Sequence, residues 1–227
     1  MNSGIVNNKE TRAVIINNEI IKKWRHEIEQ IQLEVSALYH SRSVYKRLVD
    51  IVDANPNIQQ PNAFYDWLQS CYIVDASTTI RRLLDFHEDT VSLANLANNI
   101  KANSHIISRK WYVSQHKLRN ANKEFDLHVG EGRDCIDSDD LNSRLEDVRN
   151  ASGLVKDYVD KLVAHTDKKV PDKLPTFNDL DNAIDAIGIF FKYLHILLNQ
   201  GSAILEPVEE YRWEKLFREP WIIPSEA

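Results

Sequence analysis

Turn-forming residues are scarce in this chain, with six glycines and seven prolines among 227 residues. A β-rich fold needs tight turns more often than that, so helices are the expectation. Cysteine is scarcer still. Cys71 and Cys135 have 63 residues between them and match neither a metal-ligand spacing nor a disulfide framework. Reduced thiols in a cytoplasmic setting are expected of them. No apolar run approaches the roughly 18 residues of a membrane span, and none of signal-peptide length follows Met1. The chain reads as soluble and cytoplasmic, with no membrane partner. Phosphate-cradling glycine loops, His-Glu-x-x-His and Cys-x-x-Cys are all missing. The eight histidines are scattered and form no facing Glu-x-x-His pairs. Neither a metal site nor a cofactor is expected. There is no excess of positive charge either: the formal net charge is −6. A protein that grips long nucleic acid through its overall field is usually basic, so DNA is not an expected partner. A local patch for RNA stays open.

Helical periodicity is what the chain has in abundance. From about Asn18 to Tyr39, Ile20, Ile21, Trp24, Ile28, Ile31, Val35 and Leu38 recur at three- and four-residue steps. The pattern continues through Tyr45, Leu48, Val49 and Val52 and stops at Asn55-Pro56. Residues 63–86 make the most apolar segment and predict the central helix of a bundle; Arg81, Arg82 and Asp85 at its end are either solvated or paired. Asp89 or Thr90 is expected to cap the next helix, and a further one is expected to run on to about His128. Val129 to Asp134, with two glycines, is the clearest loop.

A helix is then predicted from Ser138 to Ala164, with Leu141, Leu145, Val148, Leu154, Val155, Tyr158, Leu162 and Val163 inward and a kink at Gly153. Thr176 to Asp179 has the form of a capping box opening a helix to Gly201. Trp213 to Trp221 is an aromatic strap. The expected architecture is an all-α up-down helical bundle with a C-terminal aromatic-rich segment. Residues 1–14 form a flexible N-terminus, 15–221 a single domain and 222–227 a tail.

Chemistry concentrates in Asp160-Lys161-Leu162-Val163-Ala164-His165-Thr166-Asp167. His165 falls where an amphipathic helix gives way to a polar loop. A helix C-terminus favours the imidazolium, a competent proton donor near neutral pH. Its plainer role is that of a cationic cap. Residues 156–173 hold five lysines and four aspartates, so attraction for a phosphate backbone is local and modest.

Three stretches point to a family: Leu83-Leu84-Asp85 with Thr90-Val91-Ser92-Leu93; Lys161 through Asp167; and Trp213 to Trp221 with Leu216-Phe217 and Pro220. Together, over roughly residues 15–221, they resemble the HEPN superfamily, in its AbiU-type branch associated with bacterial abortive infection of phages. That resemblance implies a helical bundle that commonly forms a homodimer. It also implies metal-independent RNA cleavage at an arginine separated from a histidine by four to six residues, two copies meeting across the dimer. A toxin–antitoxin setting, with an antitoxin protein as partner, comes with it.

Carried over by position, His165 matches the histidine and Asp160 the polar residue after the arginine. Val159 stands where the arginine is expected. Lys156 and Arg149 lie too far from His165 and Lys161 too near. Lys161 is then a substitute phosphate contact, Lys168 and Lys169 hold RNA, and Tyr158 is the aromatic placed to stack a base. The alternatives are an inactive HEPN bundle that binds RNA, a nucleotide or a protein, and a structural bundle in which His165 is only a cap.

Overall fold

The computed structural model describes residues 3–59, 62–115, 120–163, 173–206 and 213–218, the side chains of 3–11 and 13 excepted. Seven α-helices follow one another: α1 (Ser3–Asp53), α2 (Ala63–Leu83), α3 (Leu93–Ala102), α4 (Arg109–Gln115), α5 (Ala121–Val129), α6 (Ser138–Tyr158) and α7 (Phe177–Asn199). A π-helical turn, Val159–Val163, continues α6, and short 3-10 turns occupy Ser104–Ile106 and Trp213–Arg218. Among the described residues no strand forms; one antiparallel bridge joins Ser108 and Cys135. The protein is an all-α helical bundle, as the periodicity predicts.

The centre of the bundle is α7, which buries eleven residues, Leu180, Ile184, Ile187, Phe191, Leu194 and Leu198 among them. α2 does not take that place. Its first turns leave Phe64 50% and Trp67 58% exposed, and only its second half, from Tyr72 to Leu83, is in the core. Apolar residues around most of the circumference of α2 therefore overstate its burial. α1 lays one stripe on α7 and α2: Ile21, Trp24, Ile28, Ile31, Val35 and Leu38 are all at most 3% exposed. Polar ties fix it there. Arg25 Nε donates to the carbonyl of Leu198 at 2.9 Å, Arg42 to Asp185 at 2.6 Å, and Lys46 Nζ lies 2.8 Å from Asp181. α1 and α7 touch most closely at Gly188, where a Cβ would come within 2.7 Å of Tyr39 Cζ and overlap the hydroxyl beyond it.

Several boundaries differ from the periodicity. α1 is helical from Ser3 rather than from Asn18. Ser92, not Asp89 or Thr90, caps α3: its Oγ accepts from Asn95 N–H at 3.0 Å while donating to the carbonyl of Asp85. The helix expected to reach His128 is broken into a 3-10 turn, α4 and α5, with 116–119 outside the described residues. α6 runs through Gly153 without a break, because each flanking turn is anchored in the core by Val148 and Val155. The loop after Val129 is where expected; Gly130 (φ +112°) and Gly132 (φ +74°) take backbone angles that other residues resist. The box at Thr176 is complete: Thr176 Oγ1 accepts from Asp179 N–H, and the Asp179 carboxylate accepts from Thr176 N–H at 2.8 Å. Of the aromatic strap, Trp213 to Arg218 forms a 3-10 turn and Trp221 lies outside the described residues. No helix among the described residues is long and apolar enough to cross a membrane.

Candidate functional site

The inward stripe of α6 is Leu141, Leu145, Val148, Ser152, Val155 and Val159, each at most 2% exposed. Its steps alternate between four and three residues, which is how a helix keeps one face inward. Leu154, Tyr158, Leu162 and Val163, expected inside, are only partly buried. A serine in the stripe disguises it in the sequence. Val159, the residue at the arginine position of the motif, is therefore a core residue.

A second face of α6 carries Arg149, Gly153, Lys156 and Asp160, at spacings of four, three and four residues. It looks onto the C-terminal end of α2, and two contacts across the seam show it. Arg81 Nε of α2 donates to Asp160 Oδ1 at 2.9 Å, and the Arg149 guanidinium lies 4.3 Å from the centroid of the Phe86 ring, just past α2. Lys156 Nζ donates to the other oxygen of Asp160 at 2.7 Å. Arg81 Nη1 is 3.6 Å from Asp85 Oδ2. Asp160 is thus a carboxylate clamped between a lysine of its own helix and an arginine of another.

It is clamped in a π-turn. An extra residue in a helical turn is uncommon and needs outside support, and such turns recur at functional sites. The Arg81–Asp160 bond supplies support from α2. Partial burial pushes the Asp160 carboxyl up, but the hydrogen bonds from Lys156 and Arg81 outweigh that and hold it below its ordinary 3.8. The same bond raises the Arg81 guanidinium, against a smaller opposing effect of burial. A depressed carboxylate contributes stability above its unfolded pKa and loses it as pH falls through the folded one. Wild type is therefore expected to melt above Asp160→Asn near neutral pH. The gap should close as pH drops below about 4, in thermal melts followed by circular dichroism. A gap that stays constant down to about pH 2 would contradict the clamp.

Asp160 sits in this cluster. Lys161 does not: its Nζ turns to Asp157 on the neighbouring face, 4.0 Å from Oδ2, so it is not the cation beside Asp160. Tyr158 is partly exposed. His165, Lys168 and Lys169 lie outside the described residues, as do all of 164–172. Motif spacing excludes Lys156 and Arg149 and does not point to Arg81 or Phe86. Arg81 had one signal: a charge beside a strongly apolar face, which needs a partner. Among the described residues no group of three or more His, Cys, Asp or Glu is placed to hold a metal ion. A cavity of about 300 Å³ lies at the other end of α2, lined chiefly by Leu48, Val52, Phe64, Leu68 and Phe217, and no ion pair of this cluster reaches it.

The fold is that of an all-α helical bundle, with the charged cluster in the π-turn that ends α6. The family model for AbiU2, a HEPN family, matches residues 19–216, and the chain belongs to that family. No curated protein and no solved structure is significantly similar to it. Membership associates the protein with abortive infection.

Proposed function

We propose that this AbiU-type HEPN protein acts on RNA as a metal-independent endoribonuclease in phage defence or a toxin–antitoxin system. Its mechanism is the transfer of protons as a ribose 2′-hydroxyl attacks the adjacent phosphorus and the 5′-oxygen leaves. His165 takes or gives the proton, and a cation neutralises the charge that builds on the phosphate oxygens. The observation that carries this reading is the Lys156–Asp160–Arg81 cluster, set in a π-turn whose last residue precedes His165 by two positions. Lys168 and Lys169 add positive charge for the RNA backbone, and Tyr158 offers a partly exposed ring to a base. A homodimer, bringing a second copy of the motif alongside, and an antitoxin protein are the partners this reading adds.

The second reading is an AbiU-type protein that binds RNA without cutting it. It is favoured by Val159, which is buried and uncharged where the motif has arginine.

The test is incubation of the purified protein with total RNA, with and without EDTA, beside His165→Ala. Cleavage is expected to survive EDTA and to fall by at least about 100-fold in the variant. Cleavage that vanishes with EDTA, or that is equal in the two proteins, rules out this mechanism. RNA binding without cleavage selects the second reading.

A further inference from the structure

We infer that Arg81 is the guanidinium that contacts the RNA phosphate in this site, delivered across the α2–α6 seam in place of the arginine that position 159 lacks. The inference rests on RNA being the ligand proposed above. Val159 is 2% exposed and in phase with Val155 and Ser152, so its side chain faces the core and not the seam. The neighbouring residue, Asp160, faces α2, and Arg81 meets it at 2.9 Å. A guanidinium is therefore present at this turn, one residue along from where the sequence motif would put it.

Arg81 is also better suited than the lysines nearby. Lys161 is drawn to Asp157, and Lys156 is a single point charge held by one oxygen of Asp160. Arginine offers a planar fork that matches two phosphate oxygens. In Arg81, Nε is bonded to Asp160 and Nη1 leans toward Asp85, which leaves Nη2 with no partner among the described residues. The side chain is 40% exposed, so an anion can reach it. Asp160 fixes the orientation of the fork before RNA arrives and lowers the entropy lost on binding.

The surroundings extend in the same sense. Arg149 lies eleven residues before Asp160 on the same face, about 16 Å along the helix. It covers Phe86, whose ring is 40% exposed and can stack a base. Between them Gly153 places no side chain, and a Cβ there would meet nothing within 4 Å. Arg149 is itself paired with Glu146, so the seam presents the Arg81 fork, open backbone at Gly153 and the Phe86 ring beside a neutralised Arg149, a seat for a short single strand.

The experiment measures binding of the full chain to a 2′-O-methyl single-stranded RNA, which cannot be cleaved, by fluorescence anisotropy at several salt concentrations. Arg81→Gln, neutral yet still able to donate to Asp160, is compared with Arg81→Ala, Asp160→Asn and wild type, each checked by thermal melt. Both Arg81 variants are expected to bind roughly tenfold more weakly and to lose about 0.7 from the slope of log affinity against log salt. Asp160→Asn, whose amide oxygen can still accept from Arg81 Nε and so keep the fork oriented while the competing negative charge is removed, is expected to bind at least as tightly as wild type. A purely structural pair behaves otherwise. Arg81→Ala and Asp160→Asn then lose affinity together, in step with their melting temperatures, and Arg81→Gln keeps wild-type affinity; either result overturns the inference. Wild-type RNA binding with unchanged Arg81 variants sinks the inference alone. No binding by wild type sinks it together with the RNA reading.

Discussion

Val159→Arg is expected to destabilise the protein by about 3–5 kcal/mol rather than complete its motif. From the sequence the substitution looks like a repair, since it restores an arginine at the family's spacing from His165. In the structure Val159 continues the buried stripe of α6 behind Val155 and faces the bundle interior. An arginine there must either carry an unpaired guanidinium into the core or unwind the π-turn to escape. Unwinding costs the Arg81–Asp160 bond as well. For a chain of 227 residues, about 2–4 °C of melting temperature is lost per kcal/mol, so a fall of roughly 6–20 °C is expected. Val159→Leu, apolar and slightly larger, is the control and should cost about 1–3 kcal/mol. A Val159→Arg protein that melts with wild type and cleaves RNA faster would show that position 159 can reach the seam, and that Arg81 is not its replacement.

Gly188→Val is expected to be damaging for an unrelated reason. On sequence grounds it is mild: valine is a fair residue in a buried helix and α7 is apolar almost throughout. But the helix face at Gly188 is filled by Tyr39 of α1. The first carbon of any side chain would overlap the Tyr39 hydroxyl and approach Cζ to 2.7 Å and Cε2 to 2.9 Å. The ring cannot simply swing out. The Arg42 guanidinium lies 4.5 Å from its centroid and is itself tied to Asp185 of α7. Relief therefore means separating α1 from α7 over a turn or more, and a cost of about 3 kcal/mol or more follows. Tyr39→Ala is expected to recover much of that cost in the double variant, because it empties the space the valine needs. Strictly additive effects in a double-mutant cycle, measured by urea melts, would mean that the two side chains do not collide.

The two cases mark what a one-dimensional pattern can convey. The all-α class, the stripe of α1, the loop at Gly130 and the capping box at Thr176 were legible, because each depends on residues within about one or two turns of one another; the resemblance to AbiU-type HEPN proteins was legible from the order of short motifs along the chain. The central place was expected of α2 although α7 is the more apolar helix, because the exposure of Phe64 and Trp67 depends on what else packs there. The phase of α6 was not legible: Ser152 interrupts the apolar stripe and Leu154 and Tyr158 suggest a false one.

Residue order alone yields a helical bundle, its family and the neighbourhood of Asp160 as the place where charge and a candidate histidine meet. The packing of α6 against α2 is what turns Val159 inward and Asp160 outward to a guanidinium 79 residues away in the chain. The physical reason is that local periodicity sets which residues share a face, whereas the partner of that face is chosen by packing between helices distant in sequence. An arginine absent from a motif can then stand within 3 Å of its neighbour in space.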